Sequence, residues 1–249
     1  PPVHPRTDAE ELRPLQQRAY GRGTRLTEAE AERLRELGID DNTRVVFTSD
    51  NGPWTRFGNH AGSAGPLRGD KGTTFEGGMR MPCVVWWPGQ IPAGETCDEL
   101  ATTMDLLPTA AALADAPLPA NKIDGHDIRP LLMGEEGAVS PTDVFYYYWP
   151  GELQAVRVGD WKLHLPHNHR TVEEAGHDGT PGKQGTGRIE LSLYNLADDP
   201  GESNNLAADH PEVVAELMVY IEQARADLGD TGTNNPGTGR RPAGRRDLP

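Results

Sequence analysis

The sequence predicts an α/β portion over residues 1–142, a small antiparallel α+β subdomain over 143–229, and a disordered tail over 230–249. Three observations predict this division. A short apolar strand at 44–48 runs straight into a long glycine-rich loop, the arrangement by which α/β sheets present ligand groups at strand ends. Near residue 142 the pattern changes to short strands separated by Gly, Asp and Pro turns, which suggests an antiparallel sheet. From Asp230 onward apolar residues almost vanish, so that stretch cannot offset its ordering entropy.

Each element follows from its residues. Residues 1–26 show no periodicity. Thr27 and Glu30 have capping-box spacing, Leu34 and Leu37 give an apolar edge, and Gly38 closes the helix. Asp40, Asp41, Asn42 and Thr43 turn into the strand 44–48. Residues 52–81 form a loop long enough to imply a functional role. A second strand covers 84–87. Thr102 or Thr103 caps a helix over 104–114, where Pro108 is tolerated near the first turn. Residues 116–142, with Pro117, Pro119, Pro130 and Pro141, are loop. Strands follow at 144–148, 154–158, 161–165 and 191–196. A final helix over 211–228 carries Val213, Val214, Leu217, Tyr220, Ile221 and Ala224 on one side. Trp86–Trp87 and the aromatic run 146–149 sit at strand spacing, which fits a core better than sugar stacking.

Composition excludes several partners. Twenty-four basic against 38 acidic residues give a net charge of −14, which argues against nucleic acid and anionic membranes, since both recruit basic patches. It does not exclude an anionic substrate, because one cation and one lysine can override the global field. No stretch approaches the roughly 20 apolar residues of a membrane span. No secretory leader is legible and the chain opens on Pro1, from which a processed, truncated or incompletely predicted sequence is expected. Two cysteines make no disulfide framework, and free buried thiols are expected.

The chemistry concentrates in two stretches. Thr48-Ser49-Asp50-Asn51-Gly52-Pro53-Trp54 offers a carboxylate and an amide oxygen, ligands suited to Ca²⁺ or Mg²⁺. Leu67-Arg68-Gly69-Asp70-Lys71-Gly72-Thr73-Thr74-Phe75-Glu76-Gly77-Gly78-Met79-Arg80 places a lysine on a glycine-rich loop, a compact charge able to meet tetrahedral anion oxygens. Taken alone, Asp-Asn-Gly is also an ordinary turn and Lys71 an ordinary surface lysine. His60 lies between the two stretches as a candidate for a pocket mouth. His167, after a strand carrying His164 and before His169, is a second candidate: it lies in a segment that resembles one near a substrate entrance, with a transition-metal cluster of these histidines as an alternative. For each the alternative is a surface or packing histidine.

With Pro82-Cys83-Val84-Val85-Trp86-Trp87-Pro88-Gly89, Thr102-Thr103-Met104-Asp105-Leu106-Leu107-Pro108-Thr109, Lys122-Ile123-Asp124-Gly125, Trp161-Lys162-Leu163-His164 and Leu193-Tyr194-Asn195-Leu196-Ala197-Asp198-Asp199-Pro200-Gly201-Glu202, these stretches resemble the sulfatase family, in its arylsulfatase A-like branch. The resemblance runs from about Gly38 to Pro211. It implies an alkaline-phosphatase-like α/β fold and hydrolysis of sulfate esters. It implies that Asp50 and Asn51 hold Ca²⁺, with Mg²⁺ the alternative, and that Lys71 contacts the sulfate. His4, in Val3-His4-Pro5, faintly echoes a family substrate histidine.

The family's formylglycine arises from a Cys/Ser-x-Pro-x-Arg motif. That motif is absent here, as is the family's N-terminal aspartate pair. The expectation is therefore a C-terminal half, inactive by itself and dependent on the missing N-terminal half, acting on a small-molecule or glycan sulfate ester. The resemblance also implies a periplasmic or secreted location. A phosphate or phosphonate ester hydrolase of the same superfamily, or a non-catalytic remnant, are the alternatives. The family commonly has Gly where this chain has Asp70, which implies either weaker anion binding or an outward-pointing carboxylate. Glu76 and Arg80 are expected to shape the loop through hydrogen bonds and ion pairs.

Overall fold

The computed structural model describes residues 23–241. The chain forms two compact units. One holds residues up to Asn51 together with Met81–Asp143, and the other holds Gly52–Arg80 together with the chain from Val144 on.

In the first unit, helix α1 (Gly23–Leu37) begins ahead of the expected start. Thr27 therefore sits inside the helix rather than at its cap, because Arg25 and Leu26 are good helix formers and carry the propensity upstream. Its end is as expected. Gly38 takes φ 66°, and Ile39 N donates back to Leu34 O at 3.2 Å, which closes the last turn. Strand β1 (Val45–Thr48) pairs antiparallel with β2 (Cys83–Trp86), Val45 opposite Trp86 and Thr48 opposite Cys83. The Arg35 guanidinium lies over the Trp86 ring at 5.2 Å. Cys83 and Cys97 are free as expected, but both are exposed rather than buried: Cys83 begins β2, whose first residues are uncovered among the described residues, and Cys97 lies outside any strand or helix.

Helix α2 (Leu106–Leu113) follows a 3₁₀ turn over Thr103–Asp105. Thr102 and Asp105 form the capping box, with Thr102 N donating to Asp105 Oδ2 at 2.6 Å. The buried Asp105 also accepts His126 N at 2.8 Å through its other oxygen. This one carboxylate joins the sequence block 102–109 to His126, the residue that follows the block 122–125.

The second unit is built on strands β3 (Val144–Tyr148), β4 (Leu153–Val158) and β5 (Trp161–His164). The chain then makes a hairpin, β6 (His167–Glu174) with β7 (Lys183–Ile189), and returns as β8 (Ser192–Asn195). The main sheet runs β3-β4-β5-β8 and every pair is antiparallel. The sequence reading has no strands between 165 and 191. The hairpin escapes it because Gly185 and Gly187 interrupt β7, where a strand ordinarily carries side chains. Here the Glu173 and His169 side chains fill those places.

Helix α3 (Pro211–Asp227) covers one face of this sheet. Leu217, Ile221 and Ala224 pack with Val156, Leu163 and Leu193 into the main core. These are helix positions expected to face inward, and tertiary packing of such a stripe supplies most of a helix's stability. The opposite sheet face carries Tyr147, Lys162, His164 and Tyr194, because side chains alternate along a strand and Lys162 stands opposite both Arg157 and Tyr194.

The expected tail starts as ordered structure. Asp230 is buried; it accepts Leu153 N at 3.1 Å and Gly232 N at 2.9 Å and pairs with Arg225 at 2.9 Å. A carboxylate that caps several donors orders the backbone without apolar contacts. Among the described residues no helix is long and apolar enough to cross a membrane.

Candidate active site

The first unit carries Asp50 and Asn51 on the turn that leaves β1. Thr48 Oγ1 donates to Pro82 O at 3.1 Å, and Ser49 Oγ to Asn51 O at 2.9 Å, so the turn is fixed by the two hydroxyls that precede the pair. Asp50 is exposed and Asn51 half-buried. Their side-chain oxygens are hard donors of the kind Ca²⁺ and Mg²⁺ take. The donor chemistry fits such a cation. The number does not complete a shell, and among the described residues no group of three or more His, Cys, Asp or Glu comes together to hold a metal.

The second unit carries Lys71, His60 and His167, and His4 lies outside the described residues. Lys71 is half-buried, and its Nζ stands 5.3 Å from the Trp54 ring centroid, within cation–π range. Its backbone is tied at both ends: Lys71 N donates to Pro53 O at 3.0 Å, and Lys71 O accepts from Arg170 Nη2. Among the described residues no carboxylate pairs with its ammonium. Asp70 does not point outward. It is buried, and Thr55 Oγ1 donates to its carboxylate at 2.5 Å. A cavity of about 230 Å³ opens beside this turn, lined by Thr55, Arg68, Asp70, Phe75, His169 and Arg170 among others.

His60 is exposed, 3.9 Å from Asp178 at the tip of the β6–β7 hairpin. His167 is buried, with Nδ1 2.7 Å from Leu165 O and Nε2 3.5 Å from Thr74 Oγ1. Burial holds its pKa below the usual histidine value.

Behind Lys71 lies a network that the sequence foreshadows only at Glu76. Lys162 is 0% exposed. Its ammonium donates to Thr74 O at 2.8 Å and Glu76 Oε1 at 2.9 Å and forms an ion pair with Glu202 Oε1 at 2.9 Å. Tyr147 Oη donates to Glu76 Oε1 at 2.8 Å, and Arg157 lies 3.9 Å from the other oxygen. Burial, then the Glu76 charge, pushes the Tyr147 phenol far up, so it remains a donor.

Glu202 Oε2 accepts Glu76 N at 2.7 Å. That N–H opens a single helical turn, Glu76–Met79, whose preceding residue Phe75 has no side chain able to cap it. The orphan donor that every helix start leaves is here capped from 126 residues away. His164 Nε2 sits 2.8 Å from Glu202 Oε1. An ionised carboxylate only accepts, so Nε2 carries the proton. His164 Nδ1 is buried with no partner among the described residues.

Burial lowers the His164 pKa to about 4, against the raising effect of Glu202. On Glu202 burial acts upward, but Lys162, His164 and Glu76 N outweigh it, and its pKa falls below the usual value. Glu202 itself has φ 50°, a left-handed backbone that costs a non-glycine residue about 1–2 kcal/mol. The turn is held by Asp199, whose Oδ2 accepts Ser203 N at 2.7 Å and Asn204 N at 2.8 Å.

Two glycines let the loop close on itself. A Cβ at Gly52 would stand 1.9 Å from Gly77 O, and one at Gly78 2.3 Å from Thr73 O. Both contacts are with backbone, so no side chain larger than hydrogen fits.

Comparison with known proteins shows the family and the fold. The sulfatase family model matches residues 28–116, and the model of the C-terminal region of aryl-sulfatase matches residues 140–241. Arylsulfatase A of Bos taurus is 42% identical over 196 residues, 76% of this chain and 38% of that protein. N-acetylgalactosamine-6-sulfatase of Canis lupus familiaris is 40% identical over 211 residues, 78% of this chain and 40% of that protein. The crystal structure of PsFucS1 sulfatase from Pseudoalteromonas sp. superposes with a TM-score of 0.69 at 29% identity, over 85% of this chain and 42% of that one. The chain thus spans about two fifths of the length of the curated relatives it matches. The fold is alkaline-phosphatase-like, as these sulfatase structures share it. With matched blocks running in order from α1 to the end of α3, the chain belongs to the sulfatase family, on its arylsulfatase A-like branch.

Proposed function

We propose that the full-length protein hydrolyses sulfate esters, splitting R–O–SO₃⁻ with water into an alcohol and sulfate. The observation that carries this is Lys71: a lysine in the family's loop sequence, with no carboxylate neutralising it among the described residues, on a backbone tied down at Pro53 and Arg170. Its ammonium binds the sulfate oxygens and offsets charge that builds on the departing oxygen. Asp50 and Asn51 supply two oxygen ligands to a divalent cation, Ca²⁺ in the first place, which when bound polarises the sulfate oxygens. The relatives include an arylsulfatase and a sulfatase named for N-acetylgalactosamine-6-sulfate, and the substrate proposed here is a small-molecule or glycan sulfate ester.

Turnover of a chromogenic aryl sulfate by the full-length protein tests the reading, with the matching aryl phosphate as the competing substrate. Lys71→Ala is expected to lower kcat/KM at least about tenfold, equivalent to about 1.4 kcal/mol. An unchanged value, or a preference for the phosphate, overturns it. For the cation, Ca²⁺ is expected to raise the thermal midpoint of the full-length protein, since a ligand that binds only the folded state stabilises it. Asp50→Ala should abolish that rise; a Ca²⁺ shift that survives the substitution removes Asp50 from the metal site.

A further inference from the structure

The loop that presents Lys71 has little apolar content of its own, yet 72–78 is buried throughout. Apart from the Phe75 ring, packed with Ile189, Tyr194 and Leu196, what holds it is charge. Lys162 takes Thr74 O and Glu76 Oε1. Glu202 takes Glu76 N through one oxygen and Lys162 and His164 through the other. The same residue's carbonyl accepts Arg68 Nη1 at 2.9 Å, so the loop is gripped at its entry and at its exit.

Between these grips there is no slack. Thr73 N and Thr73 Oγ1 both donate to Asp70 O, at 3.0 and 2.8 Å, making a tight turn around Lys71. Gly77 N donates to Arg68 O at 2.7 Å. A shift of Thr74 or Glu76 must therefore move Lys71.

We infer that Glu202 is a positioning residue for Lys71: its carboxylate, shared by Lys162, His164 and the Glu76 N–H, sets where the loop places the lysine that meets the anion. This rests on the proposed role of Lys71 in sulfate ester hydrolysis. Glu202 touches no substrate; it acts through the loop. Its own backbone sits in the left-handed region with φ 50°, and such a conformation persists only where the surroundings over-determine it. Phe75 completes the clamp from within, its ring 4.1 Å below the Arg68 guanidinium and 5.0 Å from the His164 ring.

The test is Glu202→Gln in the full-length protein, read in two ways. An amide has one acceptor oxygen for three donors, so the grip on Glu76 N, Lys162 and His164 cannot all survive. Amide hydrogen exchange across 68–80 is expected to quicken about tenfold while β4 and α3 keep their protection, because the loop opens locally without global unfolding. In kinetics, kcat/KM for the aryl sulfate is expected to fall about tenfold when Lys71 is present and less than about twofold in a Lys71→Ala background, the non-additivity expected of groups acting through one another. An equal fall in both backgrounds, or loop exchange that does not change, overturns the inference.

If Lys71→Ala alone leaves kcat/KM unaltered, the proposed function fails instead, and the exchange result still decides whether Glu202 sets the loop. Should Glu202→Gln not fold, Tyr147→Phe removes a single hydroxyl from Glu76 and carries the same two comparisons, with expected changes of roughly threefold.

Discussion

Lys162→Met in the full-length protein is expected to cost about 3–5 kcal/mol of folding stability, the usual loss when one partner of a buried ion group is removed. The size comes from what is left behind. Glu76 and Glu202 are both nearly unexposed, and each has Lys162 at 2.9 Å. Without the ammonium, among the described residues Glu76 keeps only the more distant Arg157 as a cation, at 3.9 Å, and Glu202 keeps only neutral donors. Two buried carboxylates then share one distant guanidinium, or take up protons to avoid the repulsion. Urea unfolding at neutral pH measures the cost through the midpoint at constant slope. A loss below about 1 kcal/mol, the worth of an exposed pair, would show that water reaches the site. Adding Glu76→Gln and Glu202→Gln to Lys162→Met should recover part of the loss, because removing all the charges leaves none uncompensated.

The second large effect is one of pH. The ordinary histidine pKa is about 6.5, and His164 in the fold lies at about 4, lowered first by burial. Glu202 partly opposes this; Lys162 and the neighbouring His167 reinforce it. The unfolded chain therefore takes up a proton at this residue before the folded chain does. Stability is full above about pH 6.5 and falls as the pH drops toward 4, by roughly 3 kcal/mol for a shift of this size. His167, also lowered by burial, contributes a smaller loss of the same sign. Glu202, whose pKa is lowered in the fold, adds its own loss only under more acidic conditions, as the pH falls below the usual carboxylate value. Unfolding free energy measured between pH 7 and 5 isolates the histidines. In His164→Gln, whose amide can still donate to Glu202, the slope over that range should largely disappear. A slope unchanged by the substitution would assign the effect to other groups.

Much of the scaffold is legible in the residues themselves. The α3 stripe Leu217, Ile221 and Ala224 is buried as its spacing predicts, and β3 runs over the residues expected. Glu76 was expected to shape its loop, and it does so through Lys162 and Tyr147. Lys162 and His164 were not legible as partners of that loop. Alternation along Trp161-Lys162-Leu163-His164 puts them on the face away from α3, where a polar pair ordinarily meets water. That face is instead covered by a segment 86–88 residues earlier in the chain, and nothing local to β5 encodes so distant a contact. Glu202 was hidden for a different reason. Asp199-Pro200-Gly201-Glu202 reads as a turn, and only the left-handed backbone at its end aims the carboxylate inward. Asp230 escaped because a composition argument weighs apolar residues, whereas this stretch is ordered by a carboxylate accepting backbone N–H groups.

The clamp also imposes an order in time. The loop leaves the ribosome well before the residue that fastens it, since Glu76 and Glu202 are 126 positions apart. At a synthesis rate of about 5–20 residues per second, roughly 6–25 s pass between the two. Throughout that interval the glycine-rich segment lacks its distant N-cap, and over the first 86 positions of it the Lys162 ammonium as well. The lysine it carries reaches its final place only after nearly the whole sheet has been made. A stop codon just ahead of residue 202 would accordingly leave a chain that contains strands β3 to β8 but whose Lys71 loop lacks the carboxylate that fastens it.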